Sequence, residues 1–209
     1  AKAQGKGNPT VYRALLFFEK LTFRMANYVI STNESYKKVA MTRGSVPEDK
    51  IAIVRNGPVL EKLVDVEPDS ELAKKATTLI GYIGEMGFQD GLDYLIRAIN
   101  HLVNDFERKD IYVVLIGKGS AVESLKQLVD ELQLQDYIYF AGYQPVSVWK
   151  PMLACVHIGT VPDQINPVNN QSTMIKITDY MGLRKPVVAF DLQEHRFTAG
   201  QAALYAEPD

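Results

Sequence analysis

The sequence predicts an α/β protein built on a doubly wound parallel sheet, and three observations predict it. From residue 77 onward, short β-branched runs alternate with amphipathic segments, the signature of consecutive strand–helix units. The loops after those runs are glycine-rich or polar, at residues 85–91, 117–120, 142–145 and 162–171. In a parallel sheet all of them fall at one edge, where open α/β sheets bind their ligands. The 209 residues are 46% hydrophobic, enough to bury one domain and part of a second.

Residues 1–10 read as loop. Residues 11–26 carry apolar side chains at helical spacing, interrupted by Arg13, Glu19, Lys20 and Arg24. A strand at 27–32 follows, and Asn33, Glu34 and Ser35 offer a cap for a helix running to Gly44. A second strand at 51–54 stops at the turn cluster Arg55-Asn56-Gly57-Pro58. Helix, strand, helix, strand is the closing part of an α/β domain, placed at 1–58. The acidic stretch 59–76 is assigned as a linker and 77–209 as a second, Rossmann-like domain. A chain that opens without Met and stops just after a strand pattern is expected to be a piece of a longer one. Leu15, Leu16, Phe17 and Phe18 either pack into the core of the first domain or lie on a membrane surface beside Lys2 and Lys6.

In the second domain, strands are expected at 79–84, 111–116, 137–140, 156–159, 187–190 and 203–206. Helices are expected at 92–105, 121–134 and 146–154, in a segment from Ser172 to the strand at 187, and around residues 194–201.

Composition removes several classes of function. A net charge of −2 argues against nucleic acid as the partner. Cys155 is the single cysteine, so no internal disulfide forms, which fits a reducing cytoplasm. No apolar run reaches membrane-spanning length and no signal peptide is visible, so the location is read as cytoplasmic. His101, His157 and His195 have no metal-site spacing, and no nucleophile–His pair is evident; His195 reads as solvated or structural. Gly117-Lys118-Gly119 lacks the third glycine of a dinucleotide fingerprint, since Glu123 and Ser124 occupy that region. An NAD-dependent oxidoreductase is therefore a minor alternative.

Residues 171–191 carry most of the functional information. Ser172 or Thr173 is a natural N-cap, and the unpaired N–H groups of a first helical turn bind anions. Lys176 and Asp179 follow Ser172 at i+4 and i+7, which puts hydroxyl, ammonium and carboxylate on one face. Two phosphates need N–H donors and a cation, and a ribose diol needs a carboxylate that accepts two hydrogen bonds. The plainer alternative is a capped helix with a surface Lys176–Asp179 pair and a buried Met174/Thr178/Met181 stripe.

The run from Lys176 to Val188 resembles the donor-binding helix and following strand of the group 1 (family 4) glycosyltransferases, which have the two-domain GT-B fold. Their pattern is Glu, seven residues, Glu, then Ala-Met-Ala-x-Gly-x-Pro-Val-Val. Asp179 stands at the second Glu, Tyr180-Met181-Gly182 and Pro186-Val187-Val188 follow in step, and Gln171 replaces the first Glu.

The resemblance implies the donor-binding C-terminal domain of a GT-B enzyme, truncated at its end, with the tail of the acceptor-side domain. It implies retaining transfer of a hexose-type sugar from a UDP-, GDP- or similar nucleoside diphosphate sugar, in bacterial polysaccharide or glycan biosynthesis, without cofactor or metal. The acceptor is a saccharide or a lipid-linked one, with peripheral membrane contact an option. Lys176 and Gln171 take the catalytic positions. Gly84, Glu85, Gly87, Gly117, Gly119, Tyr143, Gln144, Asp163, Ser172, Thr173 and Asp179 take the donor-binding ones. Glu85 and Asp90 stand where the family carries basic residues, which leaves a degenerate, non-catalytic nucleotide-sugar-binding module as the first alternative.

Overall fold

The structure, a computed structural model, describes residues 8–58, 63 and 66–207. The chain divides into two compact units, Ala1–Asn56 with Asn166–Thr173, and Gly57–Ile165 with Met174–Asp209.

In the first unit, helix α1 (Pro9–Met25) is capped by Asn8, whose side chain accepts from the Thr10 N–H, with proline at the first helical position. Strand β1 (Val29–Ser31) pairs in parallel with β2 (Ile51–Ile53), and α2 (Glu34–Thr42) connects them. Asn33 caps α2 by accepting from the Tyr36 N–H. Its amide, fully buried, also donates to the Gln171 carbonyl at 2.8 Å and to Thr173 Oγ1 at 3.0 Å. The Tyr36 hydroxyl meets Ser172 Oγ at 2.8 Å. These bonds fold residues 166–173 into the first unit. Helix α1 has no buried residue and exposes Val11, Leu15, Phe17, Phe18, Leu21 and Met25. Lys2 and Lys6 lie outside the described residues, and no described helix is long and apolar enough to cross a membrane.

The second unit is the doubly wound sheet. After the short α3 (Ser70–Ala73) come β3 (Thr78–Glu85), α4 (Leu92–Asn104), β4 (Ile111–Lys118), α5 (Val122–Glu131), β5 (Ile138–Gly142), α6 (Val146–Cys155), β6 (Ile158–Val161), α7 (Ile175–Gly182), β7 (Val187–Phe190), α8 (Gln193–Ala199) and β8 (Ala203–Ala206). All six strands are parallel in the order β5-β4-β3-β6-β7-β8. The winding reverses between β3 and β6, where ligands enter folds of this type.

Strand periodicity explains the two cores. Ile80, Tyr82, Val113 and Leu115 pack on one face with Ile96 and Ile99 of α4, while Leu79, Val114 and Ile116 pack on the other with Leu153 of α6 and Ile177 and Tyr180 of α7. Both faces of the strands are covered, which is why residues 111–116 read as an unbroken apolar run.

The stretch 59–76 is more than a connection. Asp69 caps α3 by accepting from the N–H groups of Glu71 and Leu72, and Leu63 and Leu72 are buried in the core. Residues 59–62, 64 and 65 lie outside the described residues. Strand β6 begins two residues later than the predicted 156–159. The cause is His157, whose ring Nδ1 accepts from the Leu79 N–H at 2.9 Å while its backbone N–H donates to the Leu79 carbonyl at 2.8 Å.

Gly84 and Gly117 face each other at the carboxyl ends of β3 and β4. Gly117 has φ +146°, and a Cβ there would lie 1.8 Å from the Gly84 carbonyl oxygen. Replacing Gly117 with Ala should therefore destabilise the protein by at least about 1–3 kcal/mol from backbone strain alone, with the clash in addition. Chemical denaturation of Gly117→Ala against wild type measures this, and an unchanged midpoint contradicts it.

Candidate functional site

The site is organised by α7 and by Tyr180 in particular. The Tyr180 ring lies against Gly159, where a Cβ would come within 2.5 Å of it. Its hydroxyl accepts from the Ile83 N–H at 3.1 Å and stands 3.3 Å from the carbonyls of Gly81 and Thr160. Beyond the two paired positions Ile80–Ile158 and Gly81–Gly159, β3 and β6 share no further ladder. The Tyr180 hydroxyl takes up the backbone groups that this separation leaves unpaired.

The buried stripe of α7 is Lys176, Ile177 and Tyr180, continued by Leu183, and this corrects the predicted Met174/Thr178/Met181 stripe. Met181 is exposed. The helix starts at Ile175, with Met174 as an N-cap that makes no side-chain bond. Ser172 and Thr173 are thus not the caps expected of them. Their hydroxyls are engaged in the first unit, Ser172 with Tyr36 and the Val168 carbonyl and Thr173 with Asn33. Gln171 ends a 3-10 turn, Asn169–Gln171, in the same unit.

Lys176 is 9% exposed and its ammonium is already partnered. Nζ donates to Asp163 Oδ1 at 3.0 Å and to the Tyr82 hydroxyl at 3.3 Å, and sits 4.6 Å from the Tyr82 ring centre. The Tyr82 hydroxyl donates to the Glu85 carbonyl. Burial, helped by the surrounding carboxylates Asp90 and Asp163, holds that hydroxyl far above its usual titration range.

At the carboxyl ends of β3, β4 and β5 lies a cavity of about 260 Å³ lined by Gly84, Glu85, Gly117, Lys118, Tyr143, Gln144 and Trp149. Five predicted donor-binding residues meet there: Gly84, Glu85, Gly117, Tyr143 and Gln144. Lys118 Nζ stands 5.0 Å above the Tyr143 ring, and the Gln144 amide donates to the Ala141 carbonyl at 2.6 Å, which fixes the loop. Gly119 instead packs on the backbone of Met86, where a Cβ would lie 2.3 Å from the carbonyl oxygen. Gly87 borders a separate cavity between α4 and α5, with Phe88, Arg97 and Ser124.

The acidic residues at the end of β3 and in the loop after it have different roles. Asp90 turns inward, its carboxylate accepting from the Gly87 N–H at 2.8 Å, and burial raises its pKa. Glu85 remains exposed at the cavity. Asp179, half-buried on α7, has its carboxyl pushed up to about 6 by burial, with the charge of Lys150 on α6 pulling the other way. Among the described residues no group of metal-ligating side chains comes together.

A family model described as Glycosyl transferases group 1 matches residues 77–209. The chain belongs to this family. This group 1 chain is 23% identical over 170 residues to an uncharacterized glycosyltransferase of Methanocaldococcus jannaschii, a match covering 74% of the chain and 41% of that protein. Its fold is shared with a glycosyltransferase from Rickettsia africae, with TM-score 0.73 and 17% identity over 92% of the chain and 53% of the other. It is shared also with Anabaena Alr3699/HepE, solved in complex with UDP-glucose, with TM-score 0.69 and 17% identity over 90% of the chain and 52% of the other. The group 1 chain thus spans about half the length of these solved relatives and 41% of the curated one.

Trp149, Lys150, Tyr82, Tyr180 and His195 are the site neighbours that sequence reasoning missed. Trp149 and Lys150 fall on α6, which carried no motif. Asp163 and His195 are 32 residues apart in sequence and meet only through the fold. Tyr180 was visible within the family pattern but not as a hydrogen-bonding residue.

The raised carboxyl of Asp179 has a signed consequence for stability. The unfolded group titrates near 3.8 and the folded one near 6, so the folded state holds the proton more tightly. The stability this supplies is complete below 3.8 and is lost as pH rises through about 6. Asp179→Asn escapes that loss, so its melting temperature relative to wild type should rise between pH 4 and pH 7. Thermal melts of both proteins across that range test this, and a constant difference contradicts it.

Proposed function

We propose that this chain is the donor-binding part of a glycosyltransferase that moves a hexose-type sugar from a nucleoside diphosphate sugar to an acceptor hydroxyl. The observation that carries the reading is the cavity at the carboxyl ends of β3, β4 and β5, lined by glycine backbone and by Tyr143, Gln144 and Trp149. Backbone without side chains lets a phosphate or a base approach closely, and an aromatic wall suits a planar base. The UDP-glucose complex of Anabaena Alr3699/HepE supports the same donor class.

Asp179 holds the ribose diol in this reading, and the uncapped first turn of α7 offers N–H groups to the diphosphate. As the bond between the sugar and the terminal phosphate breaks, charge gathers on the departing diphosphate, where these N–H groups act most strongly. The acceptor oxygen forms the new glycosidic bond and passes its proton to the departing diphosphate. Gln171 and the loop from Asp163 orient the sugar. Retention of anomeric configuration, a saccharide or lipid-linked acceptor, a role in polysaccharide or glycan assembly and independence of metal belong to the same proposal. The acceptor-side assignment of residues 1–58 also belongs to it. Its rival is a non-catalytic module, favoured by the exposed Glu85 beside the cavity; turnover by the intact protein separates the two.

A thermal-shift panel of UDP, GDP, ADP, dTDP and NAD against the chain tests the reading, because a ligand of the folded state raises its stability by mass action. One nucleoside diphosphate should stabilise the chain and NAD should not; stabilisation by NAD alone overturns the reading. Asp179→Ala should weaken that nucleotide by about 10- to 100-fold, the size of a hydrogen bond to a charged group. Unchanged affinity removes Asp179 from the site.

A further inference from the structure

Beneath the site lies a buried polar cluster whose protons the proposed chemistry leaves unused. Asp163, on the loop after β6, is fully buried. Its Oδ1 accepts from Lys176, but its Oδ2 has no hydrogen-bond partner among the described residues. Facing it at 3.8 Å is Nε2 of His195, also fully buried and also without a partner. His195 Nδ1 lies 2.9 Å from the Phe190 carbonyl, which can only accept, so the ring proton of neutral His195 sits on Nδ1. Nε2 is then a lone pair pointed at a carboxylate oxygen. Two buried acceptors face each other, and a single proton on Nε2 satisfies both.

We propose that Asp163 and His195 are positioning residues for Lys176, which leaves Asp163 to meet the donor's diphosphate while His195 takes one proton from solvent and replaces it. The proposal rests on the nucleotide reading above. Lys176 has the reach: its Cε lies 3.8 Å from the point a Cβ on Gly84 would occupy, and Gly84 lines the cavity. The exchange keeps the buried carboxylate neutralised throughout, so Lys176 does not strand an unpaired charge on departing.

The electrostatics favour the same coupling. Burial holds the His195 ring below its usual pKa, the charge of Lys176 adds to that, and Asp163 and Asp191 oppose it. Removing the ammonium to a ligand lifts one restraint and leaves Asp163 facing the ring alone. On the Lys176 side the other charged groups are Asp90 of the loop after β3 and Glu85 at the end of the strand, with the Tyr82 hydroxyl from the strand itself. Asp90 is the competing proton acceptor, and the test must separate it from His195.

Titration calorimetry of UDP, GDP, ADP and dTDP into the intact protein, in Tris and in HEPES at pH 7.5, reads proton uptake from the difference in heat. The terminal phosphate of the ligand ionises near 6, so it contributes little at this pH. Binding should take up about one proton, and His195→Gln should bind with uptake near zero. Binding without uptake overturns the proposal, as does equal uptake in His195→Gln, the proton then belonging to Asp90 or Glu85. If His195→Gln fails to fold, the wild-type affinity between pH 7.5 and 9 decides: it should fall by up to about tenfold per pH unit, and a flat profile is contrary. Binding of none of the four nucleotides sinks the nucleotide reading and this proposal with it, whereas binding with a flat profile sinks this proposal alone.

Discussion

The Tyr180 hydroxyl is the interaction on which the arrangement of the second unit depends. Two neighbouring parallel strands cannot separate without leaving backbone N–H and C=O groups unpaired, and in a buried sheet each such group is costly. The hydroxyl receives the Ile83 N–H and reaches the Gly81 and Thr160 carbonyls, while Thr160 Oγ1 donates to the Gly81 carbonyl at 3.0 Å. With those groups satisfied, β3 and β6 diverge at the point where the winding reverses. The same ring, seated on Gly159, fixes the rotation of α7 about its axis and so decides that Lys176 turns inward while Asp179, three residues on, stays half-buried.

Charge is handled in the same economical manner around the loop after β3. A loop bearing Glu85 and Asp90 looks hostile to an anion, yet Asp90 is committed to the Gly87 N–H and its ionised form is disfavoured by burial. Glu85 offers its main-chain carbonyl to Tyr82 and keeps its side chain exposed, where water screens it. Lys118, the ladder partner of Glu85, stands over Tyr143 at the same edge. The net field at the cavity is therefore milder than the sequence of the loop suggests.

Most of the sheet was legible because its signals are local. Period-two alternation within apolar runs, glycine after each strand and helical spacing between them each act over a few residues, and all six strands of the main sheet follow from them. The glycine-lined cavity was legible for the same reason, since Gly84, Gly117 and Tyr143 each lie at or just past the carboxyl end of a strand. The start of α7 was not. Ser172 and Thr173 satisfy every local criterion for a cap, but Asn33 and Tyr36 bind them from more than 130 residues away, and a partner at that distance leaves no mark on the neighbouring sequence. The burial of Lys176 was not legible, because burial of a lysine depends on a carboxylate, here Asp163, that only the fold supplies.

The return of residues 166–173 to the first unit also sets a clock on the making of the protein. Asn33 emerges before the backbone it must bond, at Gln171, which is 138 residues behind it. At synthesis rates of about 5–20 residues per second, the amide of Asn33 waits on the order of 7–28 seconds for its partners. During that interval the first unit is incomplete. A ribosome pause before residue 171 has emerged would lengthen the exposure of an unfinished fold, and a pause after Thr173 has emerged would not.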